Sequence, residues 1–272
     1  MIDTDVNEFV AFAHKLADAA AVKTLRHFRQ RPDTDDKAAG GRMDPVTEAD
    51  RGAERAIRAM IEASYPTHGI VGEEYDVRPA AGAYEWVIDP LDGTRAFITG
   101  LPLWGTLICL QKDGRPIIGL FDQPYIGERF IGRPGRSDLM AHQQIQRLTA
   151  SACTRLANAS LATTTPELFT GAGELAAFQY AARTTRLLRY GGDCYLYGMV
   201  AAGHLDLVIE ASLKPFDIAA LVPIVEGAGG VVSQWSGGPA QLGGRIVAAA
   251  TPSLHAEAID RLNEGLALSA QK

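Results

Sequence analysis

The chain has 272 residues, 47% of them hydrophobic and 21% charged, and a formal net charge of −6. That length supports a sizeable core in one large domain or two closely packed halves. The charge balance argues against nucleic-acid or anionic-membrane partners. The widely spaced Cys109, Cys153 and Cys194, with no CxxC among them, suggest neither a disulfide framework nor a zinc site.

Residues 6–28 carry Phe9, Phe12, Ala13, Leu16, Ala20 and Leu25 near one helical face. His14 and His27 on that helix read as surface or partly packed side chains. Residues 31–44, polar and glycine-containing, read as a mobile loop of the kind that serves as a functional lid. A second helix over 47–64 turns Ala53, Ile57, Met60 and Ile61 inward. A strand at 69–71 leads into Glu73-Glu74, and another at 86–88 leads into Asp89. After a helical turn, 105–111 and 115–122 alternate as strands about an Asp113-Gly114 hairpin turn, and 127–132 supplies a third.

The stretch 133–158 is less regular, and the boundary between an N-terminal half (1–150) and a C-terminal half (151–272) is expected there. Beyond it come a strand at 160–163 and a helix opened by Thr165-Pro166-Glu167. A small-residue helix at 195–202 and a strand at 205–210 follow. Next is an apolar helix over 216–226, ended by Gly227-Ala228-Gly229-Gly230. Strands at 231–235 and 246–250 precede a closing helix at 252–266. There is no internal repeat, no secretory leader pattern and no apolar run of the ~18 residues a membrane span needs, so a cytoplasmic protein is expected. The pattern is α/β or α+β, with mixed sheets covered by helices.

The chemistry concentrates in Asp89-Pro90-Leu91-Asp92-Gly93-Thr94. Two carboxylates close an apolar run and suit a hard cation, while the Gly-Thr helix start offers N–H groups to an anion. The same residues also read as a β-turn. Three further acidic positions have equally plain readings. Asp50 has capping-box spacing from Thr47, Glu73 closes a strand, and Asp217 begins a helix. What those readings leave unexplained is that all of them fall at strand ends or helix starts. If they converge, mutual repulsion raises their pKa values unless divalent cations intervene, and an all-oxygen donor set favours Mg²⁺. Two such ions clamp an in-line displacement.

The set Asp50, Glu73-Glu74, Asp89-Pro90-Leu91-Asp92-Gly93-Thr94 and Phe216-Asp217-Ile218-Ala219-Ala220 closely resembles the inositol monophosphatase-like superfamily. The resemblance covers about residues 6–265. It implies a layered αβαβα sandwich, commonly dimeric, with Mg²⁺-dependent, lithium-sensitive phosphomonoesterase activity. It assigns two Mg²⁺ ions to Glu73, Asp89, Asp92, Asp217 and the Leu91 carbonyl. It assigns the phosphate to Gly93 and Thr94, and activation of water to Asp50 and Thr94, with Glu73 a rival base. A third Mg²⁺ would involve Asp50 and the 31–44 loop. Phe216 stands where the family usually has Trp and is expected to pack rather than react.

Substrate choice is expected from Asp193 and Glu210, which resemble family positions that contact the non-phosphate part of the substrate. Two acids favour a cation, worth up to ~4 kcal/mol at 4 Å and an effective dielectric of ~20 before desolvation. Asp193 also reads as a cap of the following helix. Segments 99–108, 121–129, 192–195 and 213–217 resemble the histidinol-phosphatase branch, which implies hydrolysis of L-histidinol phosphate in histidine biosynthesis. An inositol-phosphate or broad sugar-phosphate monoesterase shares the catalytic residues. A nucleotide 3′-phosphatase would use Arg183, Arg186 and Arg189, which otherwise read as a helix face or dimer interface. A non-catalytic metal-binding protein would be expected to lack a motif acid, and none is missing.

Overall fold

The computed structural model describes residues 2–30, 34–36 and 45–271. Helix α1 (Ile2–His27) precedes an antiparallel pair, β1 (Thr34–Asp36) and β2 (Pro45–Thr47), and helix α2 (Glu48–Ser64). The rest of the 31–44 stretch lies outside the described residues, and with it the expected lid and third-metal role. Strands β3 (Gly69–Gly72) and β4 (Tyr84–Asp92), helix α3 (Thr94–Ile98), and strands β5 (Gly105–Lys112), β6 (Arg115–Gln123), β7 (Glu128–Arg133), β8 (Arg136–Ala141) and β9 (Gln144–Arg147) follow. These strands form a seven-stranded sheet in chain order, parallel at β3–β4 and antiparallel thereafter.

A five-stranded mixed sheet, in the order β11-β10-β12-β14-β13, comes next. Its chain order is β10 (Ser160–Thr163), α4 (Glu174–Ala182), β11 (Leu187–Tyr190), α5 (Tyr195–Ala201), β12 (Leu207–Leu213), α6 (Pro215–Ile218), α7 (Leu221–Gly227), β13 (Val231–Gln234), β14 (Gly244–Ala249) and α8 (Pro252–Ser269).

The layers follow from side-chain alternation. Along β4, Trp86 and Ile88 pack against Phe12, Leu16, Ile57 and Ile61 of α1 and α2, while the intervening Val87 faces the cluster of α5 and α7. In β12, Val208 joins that central cluster, and Leu207 and Ile209 face α4 and α8. The interior strands β4, β5 and β12 are covered on both faces and buried along most of their length, while the edge strands β9 and β11 are exposed. The result is an αβαβα sandwich with α5 and α7 as the central helical layer. Gly119 lets that layer lie directly on β6, since a Cβ there would meet the Ala220 carbonyl oxygen at 1.8 Å.

Four local expectations are corrected. The stretch 133–158 holds two strands, β8 and β9, joined at His142-Gln143 with φ of 51° and 64°. That turn lacks the usual Asn-Gly signal. Thr165-Pro166-Glu167 opens only a 3-10 turn, Pro166–Leu168, and α4 starts after Gly173. The 216–226 helix is broken into α6 and α7, because Pro223 has no N–H and its ring opposes the carbonyl of Ala219. Arg183, Arg186 and Arg189 share no helix face. Arg183 ends α4, Arg189 lies in β11, and Arg186 bonds the Asn158 carbonyl and the Ser160 hydroxyl.

Candidate active site

The site begins where β4 loses register with β5 between Asp89 and Asp92. A bulge tolerates Pro90, which has no N–H to give the ladder, and re-aims the side chains beside it. The Leu91 N–H closes back on Asp89 Oδ1 at 2.9 Å, and the Thr106 hydroxyl holds the Pro90 carbonyl at 2.9 Å. Asp217 arrives from the other sheet. Pro215 fixes the first turn of α6, and the Lys214 N–H donates to Asp217 Oδ2 at 2.6 Å. Oxygens of Asp89, Asp92 and Asp217 lie within 4.8 Å of one another.

Burial, above all, drives the Asp89 and Asp92 carboxyls well above the usual range. The charges of Glu73, Asp92 and Asp217 add to it at Asp89, and those of Asp193 and Asp217 at Asp92. Asp217 is pushed up to about 7, mainly by burial. Three acids this close, Asp89 buried and Asp92 and Asp217 half-buried, do not all ionise without a counter-charge. Their all-oxygen donor set fits a hard divalent cation. Glu73 follows β3 in a turn held by the Glu74 N–H on buried Glu54 Oε2 at 2.8 Å. It lines the same cleft, and its charge acts on Asp89, Asp217 and Asp50.

Asp50 takes up its capping position and also faces Thr94. Its Oδ2 accepts the Thr47 N–H at 2.8 Å and the Thr47 hydroxyl, closing the capping box of α2. Its Oδ1 lies 3.5 Å from the Thr94 hydroxyl, which also reaches the Leu91 carbonyl at 3.2 Å. Burial raises the Asp50 carboxyl, and the bonds from Thr47 oppose that shift. Gly93 precedes α3 at φ 80°, where a Cβ would meet the Leu103 carbonyl oxygen at 2.9 Å and Asp193 Cβ at 3.3 Å. Only glycine fits there. The first turn of α3 then leaves N–H groups with no intrahelical acceptor.

A cleft of about 400 Å³ joins these groups to the second sheet, its walls including Glu73, Asp92, Gly93, Thr94, Asp193 and Glu210. Asp193 caps no helix, because Cys194 occupies the N-cap of α5 without a side-chain bond. Burial and the Glu210 charge push Asp193 up to about 7, against the opposing pull of Arg95. Glu210 is 2% exposed, with its oxygens bonded by the Thr164 N–H at 2.9 Å and the Tyr197 hydroxyl at 2.8 Å. Half-buried Phe216 packs against the central cluster and lines the cleft. Arg95, Thr164, Tyr197 and Lys214 also line it and were not read from sequence. Arg95 had a signal, as the residue directly after Thr94 at a helix start. Thr164 and Tyr197 had none, because β10 and α5 come to their shared neighbour β12 only in the fold.

The inositol monophosphatase family matches residues 5–267. The chain is 40% identical over 271 residues to the chloroplastic bifunctional phosphatase IMPL2 of Arabidopsis thaliana, covering 96% of this chain and 76% of that one. It is 35% identical to a histidinol-phosphatase of Streptomyces coelicolor, covering 96% and 98% of the two chains. A solved inositol monophosphatase from Zymomonas mobilis has a TM-score of 0.83 and 41% identity, over 94% of this chain and 98% of that one. Fold and acidic cleft are those of a phosphatase acting on phosphoric monoesters. The chain belongs to the inositol monophosphatase family, whose members are metal-dependent. Among the described residues, no helix is long and apolar enough to cross a membrane.

Proposed function

We propose that the protein is a Mg²⁺-dependent histidinol-phosphatase, releasing phosphate from L-histidinol phosphate in histidine biosynthesis. The observation that carries the substrate is the pair Asp193 and Glu210 in the wall of the cleft that holds Asp92 and Asp217. A substrate bearing an ammonium or imidazolium group at one end and a phosphate at the other matches that polarity. The Streptomyces coelicolor histidinol-phosphatase supports the same reading.

In this reading Glu73, Asp89, Asp92, Asp217 and the Leu91 carbonyl hold two Mg²⁺ ions, with a third near Asp50. Magnesium bound there supplies charge neutralisation for the phosphoryl group and acidifies the attacking water. Gly93 and Thr94 receive the phosphate on backbone N–H groups. Asp50 takes the water's proton through the Thr94 hydroxyl, the two lying 3.5 Å apart, and Glu73 is the rival base. Asp193 and Glu210 hold the substrate cation, away from the bond that breaks. The reading carries with it a cytoplasmic homodimer.

The likeness to the Zymomonas mobilis inositol monophosphatase favours a second reading, an inositol-phosphate or broad sugar-phosphate monoesterase. Phosphate release from L-histidinol phosphate, measured with Mg²⁺ and again after chelation, tests the first. Saturable release that chelation abolishes is expected, and release indifferent to chelation would overturn it.

A further inference from the structure

Thr164 follows β10 and stands half-buried in the cleft wall. Its N–H donates to Glu210 Oε1 at 2.9 Å, and its hydroxyl accepts the Asp193 N–H at 3.1 Å. One residue thus touches both acids of the proposed cation pair. The Asp193 backbone needs such a hold, because Gly191, Gly192 and Asp193 follow one another at φ of 86°, 139° and 46°. Glycine adopts that region freely, and an aspartate stays there only when its surroundings hold it.

The segment is fixed at both ends. The Gly191 N–H donates to the carbonyls of Thr163 and Thr164 at 3.1 and 2.9 Å. The Cys194 N–H donates to Asp92 Oδ2 at 2.7 Å. Between those anchors, the Thr164 hydroxyl takes the N–H of Asp193 itself.

We infer that Thr164 is a positioning residue, which sets how far the cation-binding acids stand from the phosphate centre. The inference rests on the reading of Asp193 and Glu210 as that pair. Thr164 does not touch the reacting atoms; it acts through Asp193. Valine removes the hydroxyl but keeps the N–H bond to Glu210, so Thr164→Val isolates the Asp193 bond.

The test compares wild type, Thr164→Val and Thr164→Ser on L-histidinol phosphate and on glycerol 2-phosphate, which carries no cation. Thr164→Val is expected to raise the KM for L-histidinol phosphate relative to that for glycerol 2-phosphate by about tenfold, the scale of one lost hydrogen bond. Thr164→Ser, which keeps the hydroxyl, is expected to restore the ratio. An equal change with both substrates, an effect confined to kcat, or an unchanged ratio would overturn the inference. If wild type does not turn over L-histidinol phosphate, the substrate reading has failed instead. A crystal structure of Thr164→Val then decides this inference. An Asp193 carboxylate displaced from its wild-type position supports it, and one left in place overturns it. If the valine variant does not fold, Thr164→Ala is read by the same measurements.

Discussion

The Cys194 N–H donates to Asp92 Oδ2 at 2.7 Å across 102 residues of sequence. Through this bond a carboxylate of the first sheet anchors the turn that carries Asp193 from the second. Asp92 and Asp193, which the proposed function assigns to opposite ends of the substrate, are thereby held in one frame.

Asp92→Asn replaces an accepting oxygen with a donor on one side and weakens the proposed metal site on the other. Turnover of every phosphomonoester is expected to fall by about a thousandfold or more, the scale of several kcal/mol of lost charge stabilisation. The companion measurement is thermal unfolding, in which added Mg²⁺ should no longer raise the Tm. Near-normal turnover with an intact Mg²⁺ response would remove Asp92 from the metal site.

The acidic cluster also makes a pH prediction. Asp193 and Asp217 are each raised to about 7, and Asp89 and Asp92 well above the usual carboxylate range. Where the folded pKa lies above the unfolded one, the native state binds more protons between the two. Stability of metal-free protein is therefore greatest below the unfolded value of about 4 as far as these groups contribute, and their contribution is lost as pH rises through about 7. Melting in a chelator is expected to show a lower Tm at pH 8 than at pH 5, and Mg²⁺ to recover most of the difference. A Tm that rises with pH in the chelator would contradict this account of the cluster.

Gly93→Ala forces a Cβ onto a residue at φ 80°, 2.9 Å from the Leu103 carbonyl oxygen. The backbone conformation alone costs about 1–2 kcal/mol. A lowered denaturation midpoint is expected together with a collapse in kcat/KM, because Thr94 and Asp193 adjoin the same atom. A variant with wild-type stability and activity would show that the turn is not constrained as described.

Asp193→Asn keeps the shape of the side chain and removes its charge. KM for L-histidinol phosphate is expected to rise by roughly tenfold to a hundredfold, as for a charge-assisted bond of about 1.5–3 kcal/mol. KM for an uncharged phosphomonoester should change far less. Equal losses with both substrates, in parallel steady-state assays, would mean that Asp193 does not read a cation.

Much of this site was legible because its residues are adjacent in sequence. Asp89, Leu91, Asp92, Gly93 and Thr94 fall within one turn, so their chemistry and spacing were visible together. Both sheets were traceable wherever apolar runs ended in recognisable turns, as at Asp113-Gly114. The β8–β9 turn escaped notice because His142 and Gln143 adopt left-handed backbone without the residues that favour it. Pro223 carried its own warning, a proline four residues after Ala219, and the break between α6 and α7 follows from it. Asp50 could not be assigned to cap or site from sequence; in the fold one of its oxygens closes the cap and the other lies beside the Thr94 hydroxyl. Thr164 and Tyr197 stayed hidden because their partner, Glu210, is 46 and 13 residues away.

The proposed preference of this phosphatase for a cationic substrate rests on the acids at Asp193 and Glu210. It is tested most directly by kcat/KM for L-histidinol phosphate and for inositol 1-phosphate, measured side by side in Mg²⁺. A strong preference for L-histidinol phosphate is predicted; an equal or greater kcat/KM for inositol 1-phosphate would contradict it.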